Sequence, residues 1–138
     1  RSLMVNRLYG KRMSERTDGK AVNYTYLFSH STPESISDLG TDRGWANQWA
    51  WHTSEMWYAF NSLREGVPEV RQWTDWDYEL AEKMNQYWSN FIKTGDPNGD
   101  KVPAWSTYTD DNKSTMVFDT TSGERVDYDA ELQELISQ

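Results

Sequence analysis

Apolar side chains recur at every third or fourth position in four stretches of the chain, which is the period of an amphipathic α-helix. The clearest of these stretches begins at Asp75 or Thr74, either of which can cap a helix, and ends at Gly95, with Pro97 just beyond. Its predicted core-facing stripe consists of Tyr78, Ala81, Met84, Trp88, Phe91 and Ile92. The other predicted helices are Ser2–Thr17, His52–Leu63 and a final segment from about Asp127 that carries Leu132, Leu135 and Ile136.

Two stretches have the pattern of a β-strand. Val22–Phe28 alternates, with an aromatic residue at every second position from Tyr24, and Thr115–Phe118 is a short apolar run. Between the first strand and the second predicted helix runs a long connection, Ser29–Trp51, of the kind that is usually functional or disordered. Two separated strands are too few for an independent sheet of ordinary size. The pattern therefore predicts a mostly helical part of a layered α/β domain, whose remaining strands lie outside the chain.

Composition narrows the class of protein further. The chain has 138 residues, which suits one domain covering residues 1–138, and aromatic residues make up 14% of it, with eight Trp and eight Tyr. The net charge is -8, and Lys and Arg are scattered along the sequence, so nucleic acid and anionic membranes are poor partners. No apolar run approaches the ~20 residues of a membrane-spanning helix.

The chain contains no cysteine, which excludes disulfides and a thiol nucleophile, and its two histidines are far apart, which makes a zinc site unfavourable. We therefore expect no metal and no cofactor. Acidic charge and aromatic content favour a secreted or periplasmic protein. The first residue is Arg1, and no leader pattern follows it, so we expect either a processed product or a piece of something longer.

His52 is the best candidate for a residue that performs chemistry. It follows the long connection, lies among tryptophans, and has a carboxylate three residues later at Glu55. An imidazole can take and return a proton near neutral pH. His30, the other histidine, has no such neighbourhood and is interpreted as a surface or loop-packing residue. Glu55 is more easily a helix-dipole residue or a supporting group than the acid that orients the histidine.

A nucleophile for this histidine is missing from the sequence. A hydrolase of the G-x-S-x-G type carries its serine on a sharp turn between a strand and a helix, and no such motif is present. Ser54 lies only two positions from His52, so its side chain would point along a different face of a helix. We therefore expect Ser54 to be a poor nucleophile.

Two other interpretations compete with catalysis. Asp96–Asp100 resembles the start of a calcium loop, but the twelfth position, which should be glutamate, is Thr107, so a simple turn is favoured. Trp45, Trp49 and Trp51 lie in the long connection and could stack on sugars, which leaves a non-catalytic carbohydrate-binding or interaction domain as the alternative function.

Several blocks of sequence, in the same order, resemble the C-terminal part of type B carboxylesterases, the carboxylesterase and cholinesterase family of α/β-hydrolases. The blocks are Tyr24-Thr-Tyr-Leu-Phe28, Ala50-Trp-His-Thr-Ser-Glu-Met-Trp-Tyr-Ala-Phe60, Tyr87-Trp-Ser-Asn-Phe-Ile-Lys-Thr-Gly-Asp-Pro-Asn98, Pro103-Ala-Trp-Ser-Thr-Tyr108 and Met116-Val-Phe118. The resemblance implies that this chain is a C-terminal fragment of an α/β-hydrolase.

The resemblance also implies roles for individual residues. His52 corresponds to the base of the catalytic triad and Glu55 to a buried supporting group beside it. Trp51 would border the acyl or alcohol pocket, with Trp45 and Trp49 as further pocket residues. The serine and the acid of the triad would lie upstream of this block, so the chain alone should be inactive. Expected partners are an ester substrate, the upstream part of the same hydrolase, and other copies of the fragment through an exposed apolar edge or face.

Overall fold

The structure, a computed structural model, describes residues 2–42, 49–64, 71–126 and 130. The polypeptide forms two compact units. The first consists of Arg1–Leu27 and Trp105–Gln138, and the second of Phe28–Ala104. Trp45 and the predicted helix from Asp127 lie outside the described residues.

The first unit contains a helix and a small sheet. Helix α1 covers Ser2–Arg16, one residue short of the predicted end. The strands are β1 (Tyr26–Phe28, whose last residue opens the second unit), β2 (Ser114–Phe118) and β3 (Gly123–Val126). Their order is β1-β2-β3, and β2 pairs antiparallel with β3. Every residue of the central strand β2 is buried, which makes this strand the core of the unit.

Aromatic rings and one buried cation hold the first unit together. The ring of Trp105 makes edge contacts with Tyr26, at 6.3 Å between centroids, and with Phe118, at 5.8 Å. The buried Arg7 of α1 donates to the hydroxyl of Thr115 at 2.5 Å and lies over the ring of Tyr108. A hydrogen bond from a charged guanidinium is stronger than one between neutral groups, so this contact fixes the orientation of α1 on the sheet.

The second unit is built on one long helix. Helix α3 covers Asp75–Thr94, as predicted, and two shorter elements precede it: a 3₁₀ turn at Ile36–Asp38 and helix α2 at Met56–Ala59. Thr74 is the N-cap of α3, and Thr74 and Asp77 form a reciprocal capping box. Gly95 ends α3 in the left-handed conformation, at a φ of 79°, which a residue without a Cβ adopts without strain.

Two strand predictions need correction. The predicted strand Val22–Phe28 is reduced to β1, because the carbonyl of Asn23 accepts from Tyr108, in the loop before β2, whereas that of Thr25 accepts from Met116. Strand β3 was missed altogether. Its sequence Gly-Glu-Arg-Val is polar and mostly exposed, so it carries no apolar alternation that could reveal it.

The predicted helix His52–Leu63 is also wrong in extent. Only α2 is helical, because Thr53 has a φ of 74° before it and Asn61 has a φ of 47° after it, and a right-handed helix cannot pass through either. His52 therefore lies in the turn that precedes helix α2 and is not part of the helix.

The core-facing stripe of α3 is rotated by about one residue from the prediction. The buried positions are Asp77, Leu80, Ala81, Met84 and Tyr87, whereas Tyr78, Phe91 and Ile92 are exposed. The rotation places Asp77 on the buried face of the helix. Its carboxylate is buried by specific partners, which a pattern that treats every charge as solvent-facing cannot anticipate.

Candidate active site

His52 lies at the tip of a tight turn between Trp51 and Ser54. The amide of Ser54 donates to the carbonyl of Trp51 at 3.1 Å, and the left-handed φ of Thr53 falls at the third position of this turn. The imidazole of His52 is exposed. The turn therefore projects the ring away from the unit that carries it, where a reactant can reach it.

Ser54 stabilises the turn and is not available as a nucleophile. The residue is fully buried, its hydroxyl donates to the Trp51 carbonyl at 2.8 Å, and the Trp51 amide donates to the same hydroxyl at 3.3 Å. Hydrogen bonds from a serine side chain to nearby backbone groups replace those of a helix or sheet, and they stabilise a turn at this position. The structure thus agrees with the expectation that Ser54 is a poor nucleophile.

Trp49 and Trp51 both precede His52 in the chain, and their side chains have different environments. The indole of Trp51 donates to the hydroxyl of Thr32 at 3.3 Å and makes an edge contact with Trp57, at 5.5 Å between centroids. Trp49, by contrast, is 72% exposed. Trp51 is therefore a fixed wall beside His52, and Trp49 is an open aromatic face close to it in the chain. Trp45, the third predicted pocket residue, lies outside the described residues.

Glu55 lies directly between the turn and helix α2. It is the N-cap residue of α2 and half-buried, and its carbonyl accepts from the amides of Tyr58 and Ala59. A negative charge is favourable at this end of a helix. Within the described residues there is no hydrogen bond between the Glu55 carboxylate and the His52 ring, and the supporting role of Glu55 stays a prediction.

An aromatic cluster underlies the turn. Trp57 makes edge contacts with both Trp51 and Trp73, the latter at 5.7 Å, and the guanidinium of the buried Arg71 lies 4.7 Å from the centroid of the Trp57 ring. Arg71 also donates to the carbonyl of Pro33 at 2.5 Å. A cation over an indole face is attracted by the ring quadrupole, so this contact joins the connection before His52 to the segment after it.

The carboxylate of Asp77 is a buried charged group of the second unit, and the residue is 1% exposed. One of its oxygens receives the Nε2–H of His30 at 2.8 Å and the hydroxyl of Tyr58 at 2.7 Å. The other receives the amide of Thr74 at 2.8 Å and its hydroxyl at 2.7 Å. We call these four residues the Asp77 network. An ionised carboxylate only accepts, so each partner must be a donor.

The charge state of the Asp77 network follows from these contacts. Burial alone would raise the pKa of Asp77, but the hydrogen bonds from His30, Thr74 and Tyr58 outweigh it and lower the pKa to about 2. The pKa of Tyr58 is raised far above its ordinary value by burial and by its bond to the Asp77 carboxylate. At neutral pH the network therefore contains a carboxylate anion and a neutral phenol.

Sequence reasoning missed this network. His30 is buried and bonded to Asp77, so its interpretation as a surface residue is wrong, although packing does hold it. Asp77 lies in the first turn of a predicted helix, where an acidic residue is ordinary, and nothing in the sequence distinguishes Tyr58 from its neighbours. The only local signal is the Thr74-x-x-Asp77 spacing of a capping box, because 47 and 19 residues of chain separate His30 and Tyr58 from Asp77.

Metal ligation has no support among the residues that the structure describes, which contain no group of three or more His, Asp and Glu side chains able to hold an ion. The Asp96–Asp100 segment is a turn, as favoured above, in which one carboxylate oxygen of Asp96 accepts from both the amide and the side chain of Asn98. Of the helices within the described ranges, none has the length and apolar character to cross a membrane.

In sequence, the chain is similar to a family model and to individual carboxylesterases. The model of the Carboxylesterase family matches residues 6–135. Carboxylesterase 5A of Felis catus is 35% identical over 94 residues, which is 67% of this chain and 16% of that protein. Carboxylesterase 4A of Bos taurus is 33% identical over 99 residues, which is 71% of this chain and again 16% of the relative. The chain thus spans about one sixth of the length of these relatives.

Solved structures of bacterial esterases share the fold. An esterase from anaerobic Clostridium hathewayi, described as hydrolysing aliphatic aromatic polyesters, superposes with a TM-score of 0.64 at 29% identity over 87% of this chain and 22% of its own. A carboxylesterase of Geobacillus stearothermophilus gives 0.64 at 26% identity over 88% of this chain and 23% of its own. The helices and three strands described above are thus a piece of an α/β-hydrolase fold. Together with the sequence match, this establishes that the chain belongs to the carboxylesterase family.

Proposed function

We propose that this chain is part of a serine carboxylic-ester hydrolase and supplies its general base, His52. One observation carries the proposal: the imidazole is presented to solvent at the tip of a turn that a buried serine, a fixed indole and a short helix hold in place. A proton-transfer group must be both accessible and fixed, because a base has to be within hydrogen-bond reach of the proton that it takes. Family membership supports the same reaction class.

In the proposed reaction, the nucleophile and the triad acid belong to a part of the hydrolase upstream of this chain. His52 takes the hydroxyl proton of the serine as its oxygen attacks the ester carbonyl, and returns the proton to the leaving alcohol when the tetrahedral intermediate collapses. A water molecule then attacks the acyl-enzyme. His52 takes a proton from this water and returns one to the serine oxygen, which restores the starting state.

The aromatic surroundings of His52 are the proposed substrate contact. Trp51 is held by Thr32 and Trp57 and so presents a rigid wall next to the base. Trp49 is an exposed ring two residues before Trp51. Flat aromatic walls bind organic groups with little loss of conformational freedom. Trp45 completes the predicted set of pocket residues.

The first test is hydrolysis of p-nitrophenyl esters, from acetate to octanoate, by the complete polypeptide that contains this chain. His52→Ala should lower kcat by about 10⁴-fold or more, because removal of the triad base leaves only the residual catalysis of binding and the oxyanion hole. The matched control is Gln72→Ala, at an exposed position of the same unit, which should keep wild-type kinetics. Wild-type-like turnover by His52→Ala would reject the assignment.

Trp49 also favours a second candidate, carbohydrate binding, since its exposed indole could stack on a sugar ring. Titration of the 138-residue chain with oligosaccharides, followed by tryptophan fluorescence, separates the two functions. Saturable binding that is lost in Trp49→Ala would favour a binding module. Ester turnover that requires the upstream region, without sugar binding, would favour the hydrolase.

A further inference from the structure

The turn that carries His52 has two ends, and each end is anchored by a side chain. On the N-terminal side, the Trp51 indole donates to the hydroxyl of Thr32, which is 3% exposed. On the C-terminal side, the hydroxyl of Tyr58 donates to Asp77. Between these anchors the described residues give the His52 ring no partner of its own. Its position therefore depends on the anchors.

The two anchors are connected to each other through the Asp77 network. Thr32 lies two residues after His30, and the His30 ring is bonded to the same Asp77 oxygen that holds Tyr58. The contacts thus form a closed ring that runs from Trp51 to Thr32, along the chain to His30, across to Asp77, and through Tyr58 back to the turn. A closed ring of contacts resists displacement at every point, because movement at one position strains all the others.

Backbone hydrogen bonds transmit the position of Tyr58 to His52. The Ser54 amide donates to Trp51, the Met56 amide to Thr53, and the Tyr58 amide to Glu55, at 3.0 to 3.1 Å in each case. At the end of α2, the carbonyl of Ala59 accepts a hydrogen bond from the side chain of Asn85 on α3 at 3.0 Å. The segment from the turn through α2 is therefore one continuous hydrogen-bonded piece, clamped to α3 at two neighbouring residues.

The contacts of Tyr58 and Asp77 are buried, which makes them strong enough to hold the segment in place. Tyr58 and Asp77 are both almost fully buried, and the Tyr58 ring also contacts Phe28, at 5.1 Å between centroids, and His30, at 5.6 Å. The Trp76 ring also contacts the His30 ring, at 4.6 Å between centroids. Hydrogen bonds to an ionised acceptor in such surroundings are stronger than neutral ones and are costly to break.

We propose that Tyr58 and Thr32 are positioning residues for the His52 base, acting through the Asp77 carboxylate and the Trp51 indole respectively. The inference rests on the proposed function of His52, but its geometric content can be measured without ester turnover. Neither residue touches the substrate. Their effect is to hold the imidazole where its nitrogen meets the serine hydroxyl of the complete enzyme, since a displacement of about 1 Å can cost 10²-fold in rate.

The kinetic test uses Tyr58→Phe and Thr32→Val in the complete polypeptide. Each substitution deletes one hydroxyl and keeps the shape of the side chain. We expect kcat to fall by about tenfold or more in both variants, because the base is misplaced. KM should change by less than about twofold in Tyr58→Phe, whereas in Thr32→Val it should rise as well, because Thr32 also holds the Trp51 wall of the proposed pocket. Tyr78→Phe is the matched control. It deletes a tyrosine hydroxyl from the residue beside Asp77, on the exposed side of the same helix, and should keep the wild-type kcat.

The second readout is NMR of the ring nitrogens in the 138-residue chain, which contains only two histidines. In the wild type, His30 should carry a hydrogen on Nε2 that exchanges slowly. Thr32→Val should shift or broaden the His52 signals and leave those of His30 in place, whereas Tyr58→Phe should change both. A purely structural role would lower the melting temperature and leave the His52 signals of the folded state unchanged.

The outcomes distinguish this inference from the proposed function. If His52→Ala abolishes turnover while Tyr58→Phe and Thr32→Val keep both the wild-type kcat and the wild-type His52 signals, the positioning role is overturned and the base remains assigned. If His52→Ala retains turnover, the proposed function is rejected, and the NMR arm still decides whether the ring of contacts fixes His52. Should Tyr58→Phe not fold, Thr32→Val tests the opposite anchor of the turn.

Discussion

Thr53 is the residue at which the local backbone departs most clearly from its preferred conformation. A β-branched side chain at a φ of 74° is unfavourable, because Cβ crowds the neighbouring carbonyl, and threonine cannot relieve this as glycine or asparagine can. Strain of this kind persists where surrounding contacts impose it. Here the hydroxyl of Ser54, bonded on both sides to the backbone of Trp51, imposes the turn. The strain falls on the residue directly after the proposed base.

We expect Thr53→Gly to raise the free energy of unfolding by about 1 kcal/mol, since relief of the left-handed strain outweighs the extra entropy that glycine gives to the unfolded chain. The measurement is urea denaturation. Thr121→Gly is the matched control, an exposed threonine of a described turn that is not at a positive φ, and it should lower the same quantity. Equal destabilisation by both substitutions would show that the Thr53 conformation costs nothing.

Helix α3 shows how a single element combines local and long-range information. Thr74 and Gly95 mark its ends by capping chemistry that involves only neighbouring residues, and both ends could therefore be predicted from the sequence. Its buried face could be predicted only in part, at Ala81 and Met84, because Asp77 is drawn inward by partners from two distant segments. The same limitation applies to α2, whose short extent follows from turns on either side of Tyr58.

His52 could be proposed from the sequence for a related reason. A histidine in an aromatic, loop-borne setting, followed by a glutamate, is a local signal that needs no partner to be visible. Thr32 and Tyr58, the proposed anchors of that histidine, give no local signal. Each makes its hydrogen bond to a residue that is distant in sequence, Trp51 for Thr32 and Asp77 for Tyr58. Local chemistry thus indicated the proposed base, whereas the residues proposed to position it become visible only through tertiary contacts.

The Asp77 network gives α3 a defined response to acid. The folded-state pKa of Asp77 is about 2, below the ordinary value near 3.9 of the unfolded chain, so the carboxylate contributes stability that is fully present above pH 4 and is lost as the pH falls towards 2. We expect wild type to lose about 2 kcal/mol more than Asp77→Asn over this window, because the variant has no carboxylate to protonate.

Chemical denaturation at a series of pH values measures this difference. Asp75→Asn is the matched control, since it removes a charge from the same helical turn without touching the network and so separates the effect of net charge and helix dipole. Parallel pH profiles for wild type and Asp77→Asn would contradict the assignment of Asp77 as the responsive group.

At the scale of the whole molecule, the second unit exposes large apolar side chains. Phe60 is 65% and Ile92 is 79% exposed, in addition to Trp49. Scattered apolar residues on a surface are ordinary, but aromatic and aliphatic groups of this size and exposure suit a surface that is covered in a larger protein. The chain spans only about one fifth of the esterase structures that share its fold.

We expect the 138-residue chain, studied alone, to self-associate, because these apolar groups are better buried than hydrated. Sedimentation velocity over a range of concentrations measures this. Ile92→Lys together with Phe60→Ser should reduce the association, and Lys93→Glu, an exposed substitution beside Ile92 that removes no apolar surface, is the control. A monomer at every concentration would count against an apolar surface that needs covering.

The place of Asp77 in the chain has a consequence for synthesis. His30 and Tyr58 leave the ribosome before Asp77, so the two segments that carry them are made well before their shared hydrogen-bond acceptor. Only when the start of α3 emerges and the Thr74 cap orients the carboxylate do the earlier segments gain their common acceptor. A pause in translation before residue 77 would leave a nascent polypeptide in which His30 and Tyr58 have not yet gained this acceptor.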